Sequence, residues 1–203
     1  MRERICAIFV VAILFLSFML LLPTFKFTYS DAIDRTALSR DKAELMSDAI
    51  SDYLDFSRGS LYLSYDNESV FDAQELFHMA EVRHIFKNML YIDILCFIFF
   101  IFMFFKTKNK RDIFKKQFKY TLFISISFII ISMLSFSKGF EVMHRIIFDN
   151  DMWLFSPTSN LIMLLDENFF KYFFIKYILI VLIFSYILRA SGGIYGKFIP
   201  RKR

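Results

Sequence analysis

Four stretches of 17 or 18 residues, at 5–22, 89–105, 120–136 and 172–188, run almost without charge. A helix crosses the bilayer hydrocarbon in about 17–25 residues. In lipid, only helices and closed barrels satisfy their own backbone. The runs therefore predict an all-α integral membrane protein with four transmembrane helices, forming a single membrane domain over 1–203. Composition agrees: 57% of residues are hydrophobic, against about 45–50% in a soluble domain. The first run follows a basic start, Met-Arg-Glu-Arg, as a signal peptide does. It exceeds the usual apolar core of about 7–15 residues, and no small-x-small site precedes Pro23, so a retained anchor is expected.

Charge sets the expected orientation. The linker 106–119 carries seven Lys or Arg and one Asp, and the tail 189–203 carries five basic residues and no acidic one. The positive-inside rule places both in the cytoplasm, with both termini. The segments 23–88 and 138–171 then lie outside, the first with twelve acidic and seven basic residues. The net charge of +5 is thus a topology signal and gives no reason to expect a nucleic-acid partner. Cys6 and Cys96 both sit in apolar runs, so no disulfide framework is expected. No phosphate-binding glycine loop, metal-ligand spacing or internal repeat appears, and no cofactor is implied.

The outer segments carry their own pattern. Residues 31–56 place apolar side chains at 33, 37, 38, 45, 49, 50, 53 and 54, which predicts one or two amphipathic helices. Ser60–Tyr65 alternates polar and apolar, and Asp66-Asn67 marks a turn. Asp72 and Glu75 have capping-box spacing, and from Ala73 the chain runs without Gly or Pro into the second crossing. The result is a mainly helical extracytoplasmic cap between helices 1 and 2. The shorter segment 138–171, with turns at Asp149–Asp151 and Ser156–Asn160, is expected to lie at the interface or re-enter it, bringing His144 near His78.

These two histidines are the candidates for chemistry, since imidazole titrates near neutral pH. Glu75 and Glu81 are the i−3 and i+3 neighbours of His78; a carboxylate in contact would fix its tautomer and raise its pKa. The plainer alternative is an interfacial histidine bonded to one of them. His84 falls roughly 120° round the helix from His78. A three-histidine zinc site at 78, 84 and 144 matches no ligand spacing, and no metal is expected. Asp93, early in the second crossing, is a site by default or a structural residue near water. Lys176 is placed to snorkel. No nucleophile-elbow motif is present.

Glu75, His78, Met79, Glu81, Val82 and Arg83 form one motif before a crossing. His144, Phe148, Asn150, Asp151 and Trp153, then Pro157-Thr158, Leu161-Ile162 and Phe169-Phe170, form a second. In order, spacing and membrane context the chain resembles the bacterial lipoprotein intramolecular transacylases. It departs from their pattern at Ser156 and Asn160, where Asp is expected, at Asp166 in place of Pro, and at Glu81, where Asp is commoner.

The resemblance implies that the sn-2 acyl chain of a diacylglyceryl-cysteine moves to the cysteine α-amine, giving a lyso-form lipoprotein. For that reaction the amine must lose a proton and the oxyanion and leaving oxygen need donors, which assigns His78 as general base, held by Glu75 or Glu81, and His144 as donor to the oxyanion or leaving oxygen. Arg83, Asp151 and Trp153 would orient the site and lipid head. The implied partners are diacylglyceryl-modified lipoproteins and membrane lipid; the sequence sets no oligomeric state. Two rivals remain: a non-enzymatic assembly factor or partner-binding subunit, and an acyltransferase drawing on free phospholipid. An enzyme needs the two histidines to converge, whereas a scaffold does not.

Overall fold

The computed structural model of the chain describes residues 1–24 and 26–198. Four of its helices are long and apolar enough to cross a membrane. They are α1 (Arg2–Leu21), α4 (Ala73–Lys106), α5 (Lys110–Ile147) and α7 (Glu167–Phe198). Each contains one apolar run, except that Leu22 falls in a 3₁₀ turn, Leu22–Thr24. The protein is therefore an all-α, multi-pass membrane protein. The end of the expected tail, 199–203, lies outside the described residues.

The helices outrun their apolar stretches, and in α4 and α5 the extensions bear on the site. Helix α4 starts at Ala73, well before residue 89, and α5 continues to Ile147, past residue 136. Within α5, Ser135 leaves the helical conformation (φ −170°, ψ 91°). The turns after it are helical, so His144 is carried by the end of α5, before the turns of the segment expected to lie at the interface.

The chain divides into two compact units. One combines residues 1–19, 89–133 and those from 176 on. Helix α1 buries Cys6, Ala7, Val10, Val11 and Leu14 in it. From α5 it buries Ile113, Gln117, Thr121 and Ser125, which recur every four residues and so share one face. Small and polar side chains suit such contacts, because lipid supplies no hydrophobic drive between helices. Gln117 Nε2 donates to the Ser185 carbonyl at 2.8 Å, and Ser185 Oγ donates back to Gln117 Oε1 at 3.0 Å. Ser17 Oγ donates to Asp93 Oδ2 at 2.7 Å, tying α1 to α4. Phe97, Phe99, Phe102 and Phe105 stay exposed, a surface that hydrocarbon covers at no cost.

The other unit combines residues 20–88 and 134–175. The amphipathic stretch splits into α2 (Ser30–Arg35) and α3 (Arg40–Leu54). Between them Thr36 Oγ1 donates to the Met163 carbonyl at 2.7 Å and accepts from the Leu38 amide at 3.2 Å. Helix α3 buries Ala43, Met46, Ala49, Ile50, Tyr53 and Leu54. Leu45, part of the apolar stripe read from the sequence, is exposed. Strands β1 (Ser64–Tyr65) and β2 (Glu68–Ser69) pair antiparallel across Asp66-Asn67. Both turn residues have positive φ, 52° and 65°, the backbone a two-residue type I′ hairpin demands and that Asp and Asn tolerate. A five-residue helix, α6 (Asn160–Leu164), precedes α7, whose start is capped by Asp166 Oδ1 accepting from the Phe169 amide at 2.7 Å.

Candidate active site

The first turn of α4 is closed by a complete capping box. The Glu75 amide donates to Asp72 Oδ1 and the Asp72 amide donates to Glu75 Oε2, each at 2.8 Å. Glu75 is almost wholly buried, at 1% exposure, and its second oxygen accepts from the Leu161 amide at 2.7 Å, in the first turn of α6. One carboxylate therefore serves two helix starts. Gln74 adds a second tie, its Nε2 donating to the Met152 and Leu154 carbonyls at 3.0 and 3.1 Å. The loop after α5 is thereby held against α4.

That arrangement brings two imidazoles together. His78 on α4 and His144 on α5 are both buried, with ring centroids 6.1 Å apart and planes 25° from parallel. Aromatic rings enclose them. Phe148 lies 4.8 Å from His78 and 5.6 Å from His144. Phe155 meets the edge of His78 at 5.3 Å, while Phe140 and Trp153 face His144 at 4.2 and 5.0 Å.

The expected carboxylate partner of His78 is not there. Both oxygens of Glu75 are spent on backbone amides, and Glu81 Oε1 accepts from Asn150 Nδ2 at 2.7 Å. His78 Nδ1 is shielded from solvent with no partner. Its pKa is correspondingly lowered, to about 4, by burial first and by the neighbouring His144 second, where a carboxylate would have raised it. His144 is also lowered by burial, against an upward pull from the Phe140 carbonyl. Both rings are neutral at physiological pH. His144 Nδ1 sits 2.8 Å from that carbonyl, which only accepts, so Nδ1 carries the hydrogen and Nε2 presents a lone pair.

The other expected site residues divide. Trp153 belongs to the cage; its Nε1–H is shielded and has no acceptor. Asp151 is exposed in the turn before Trp153. Arg83 turns away from the imidazoles: its guanidinium lies 4.3 Å over the Tyr53 ring and donates to the Gly59 carbonyl at 3.2 Å, so it fastens α4 to the end of α3. His84 is exposed. Among the described residues no cluster of three metal-ligating side chains forms. Asn160, where Asp was expected, donates to the Val70 carbonyl at 2.6 Å and accepts from Lys42 Nζ at 3.0 Å. A carboxylate cannot make the first bond, so the amide suits its place.

Gln74, Phe140 and Phe155 were not singled out in the sequence. Phe140 lies one helical turn before His144, a spacing that could have marked it; the roles of Gln74 and Phe155 depend on the loop's path and left no local signal.

A multi-pass membrane protein that buries a neutral imidazole pair in an aromatic cage, on helices extending beyond their apolar spans, is fitted to proton-transfer chemistry on an amphipathic substrate. The sequence profile of the family described as lipoprotein intramolecular transacylase Lit matches residues 4–170. The chain belongs to that family, and its reaction is an intramolecular acyl transfer on lipoproteins. The fold is that of the membrane-integral Lit from Bacillus cereus, at 20% identity over 98% of this chain and 97% of that one, with a TM-score of 0.80. Variants of the same protein with one histidine changed to alanine or to arginine give TM-scores of 0.78 and 0.71 at 17% and 18% identity. They cover 97% and 96% of this chain and 92% of theirs in each case. A search of curated proteins returns no match.

Proposed function

We propose that this chain moves the sn-2 acyl group of a diacylglyceryl-cysteine to the α-amine of the same cysteine. The amine lone pair attacks the ester carbonyl, a C–N bond forms, and the C–O bond to glycerol breaks. His144 Nε2 takes the amine proton and returns it to the leaving glycerol oxygen, so the enzyme ends as it began. This exchanges the roles first assigned to the histidines. The Phe140 carbonyl holds His144 as a base, and His144 lacks the second imidazole's further lowering of His78. A general base is most effective when its pKa lies near the operating pH, and His78 is pushed furthest from it.

His78 and the Trp153 N–H then serve the oxyanion. Both present shielded nitrogens without partners; the indole N–H is a donor, His78 Nδ1 is one in the tautomer that leaves Nε2 bare, and a buried donor with no acceptor is costly unless a ligand supplies one. The carrying observation is the imidazole pair itself, 6.1 Å apart within a ring of Phe and Trp. The scaffold alternative gives no reason for that convergence. Ester and amine sit on one molecule, so alignment alone supplies an effective molarity of about 10⁵–10⁸ M. We place the pair at the outer face of the bacterial membrane, with both termini cytoplasmic, on the strength of the basic linker 106–119.

The test is a crossover experiment. Lipoproteins with heavy-isotope and ordinary acyl chains are mixed with the enzyme, and their N-terminal peptides are weighed. Each peptide keeps its own label if transfer is internal. Scrambling, or donation from free phospholipid, transfers the chain to the intermolecular class.

A further inference from the structure

Glu81 is left over by the chemistry above. It lies one turn beyond His78 on α4, and its Oε1 is clamped by Asn150 Nδ2 at 2.7 Å. Asn150 is itself fixed, its Oδ1 accepting from the Met152 amide at 2.9 Å. The other carboxylate oxygen, Oε2, is shielded from solvent and meets no donor. An unpaired buried carboxylate oxygen is expensive, so its retention calls for a cation or donor from outside the chain. The nearby guanidinium groups are committed: Arg83 to Gly59 and Tyr53, Arg145 to Glu141 at 3.0 Å and the Trp153 face.

Glu81 also lines a groove of about 400 Å³, with Phe77, His84, Ile147, Phe148 and Asp149. The polar end of the groove is acidic, with His84 the one basic group lining it among the described residues, and its walls are apolar. Phe148 belongs both to the groove and to the cage, 4.8 Å from His78. A group held at Glu81 is thus one aromatic ring away from the imidazoles.

We propose that Glu81 binds the α-ammonium of the substrate's N-terminal cysteine before transfer, with the groove as the approach for that end of the lipoprotein. This rests on the two-histidine reaction above. The substrate brings one cation that must reach the site, its α-amine, ordinarily with a pKa of about 7.7–8.0 and so charged on arrival. Both imidazoles are neutral and leave Glu81 free to take it. Docking there raises the amine's pKa, because an adjacent carboxylate favours the charged form. Asp149 adds to that effect and a protonated His84 opposes it, while Asn150 spreads the Glu81 charge. Glu81 therefore favours binding and slightly resists deprotonation, and its removal separates the two.

The experiment measures binding to the full chain in detergent at pH 6.5. The probes are two dialkyl-ether glyceryl-cysteinyl peptides, whose chains cannot be transferred. One has a free α-amine and the other is N-acetylated. The wild type is expected to bind the free amine about ten- to a hundredfold more tightly, the range of one charge-assisted hydrogen bond. Glu81→Gln keeps an oxygen for Asn150 and brings that ratio to near one, with acetyl-peptide affinity unchanged. In turnover of the diester substrate, Glu81→Gln raises KM and moves the acid limb of kcat to lower pH. Equal binding of both probes by wild type, which needs no variant, overturns the proposal. So does a ratio that survives in Glu81→Gln, or a loss of affinity shared by both probes. Activity surviving in His78→Ala and His144→Ala together refutes the underlying reaction and leaves the binding ratio untouched.

Discussion

Replacing Glu75 tests whether the site is built from one buried carboxylate. Its two oxygens receive the Asp72 and Leu161 amides at 2.8 and 2.7 Å, and the side chain is 1% exposed. In Glu75→Ala both N–H groups lose their acceptor away from water. Each orphaned donor costs about 1–3 kcal/mol, so the pair costs about 2–6 kcal/mol before any cavity is counted. Glu75→Gln keeps one acceptor and sets an NH₂ against the remaining amide. Its cost should be about half as large, from one unsatisfied donor and the lost charge. Against a typical total stability of about 5–15 kcal/mol, the alanine variant is badly weakened and the glutamine variant is intermediate.

The assay is unfolding of the purified chain in mixed micelles, with amide hydrogen exchange at Leu161 as the local probe. Exchange at Leu161 should accelerate in Glu75→Ala, because its N–H bonds to Glu75 and not to the helix it begins. Activity should fall in the same order, since the loop bearing Trp153 follows from that anchoring. The reasoning fails if Glu75→Ala unfolds within about 0.5 kcal/mol of wild type, the range of an ordinary surface change. It fails equally if Glu75→Gln proves worse than Glu75→Ala.

His78→Ala and His144→Ala should each cut lyso-lipoprotein formation by about 10²–10⁴-fold by mass spectrometry, while His84→Ala stays within a few-fold. Trp153→Phe keeps the ring packed on His144 but removes an N–H that has no acceptor in the fold. It should lower kcat without lowering the unfolding midpoint. Folded His78 titrates at about 4 against 6.5 in the open chain, so the unfolded state binds more protons in that window. Stability should be full above pH 6.5 and fall towards pH 4, measurable as a declining melting temperature. A Cβ on Gly192 would lie 2.5 Å from Phe114 Cδ2 and 2.8 Å from its Cβ, so Gly192→Ala should lower the unfolding midpoint by an amount worth about 1–3 kcal/mol.

The four crossings were legible because their signal is one-dimensional: length and lack of charge decide them. The capping box and the Asp66-Asn67 turn were legible for the same reason, since each partner lies within a few residues of the other. What escaped depended on distant chain. Glu75 looked like a partner for His78 by helical spacing, yet the Leu161 amide, far along the sequence, took its free oxygen. Arg83 looked like a ligand for a lipid head, but the Tyr53 ring and the Gly59 carbonyl claimed it. Spacing shows which groups can meet on one helix; it does not show which competitor arrives from another. His144 was assigned to the interfacial segment because the apolar run ends at residue 136, whereas helix formation does not require apolar side chains and continues to Ile147.

The missing carboxylate at His78 bears on how the site works. An imidazole paired with Glu75 would be held as a cation, and a second cation 6.1 Å away in a Phe-lined cage would be strongly disfavoured. Surrounding both rings with aromatic side chains and sending the carboxylates to other partners keeps the pair uncharged. A neutral His144, its Nδ1–H fixed by the Phe140 carbonyl, can then accept a proton without first losing one to solvent. The proposed docking of an ammonium still needs negative charge, which Glu81, clamped by Asn150 a turn away, would supply outside the cage. In the proposed reaction the carboxylate that binds and the imidazoles that move protons are thus set apart by one helical turn and one phenyl ring. Any change that brings Glu81 against His78 should raise the imidazole's pKa and trade catalysis for binding.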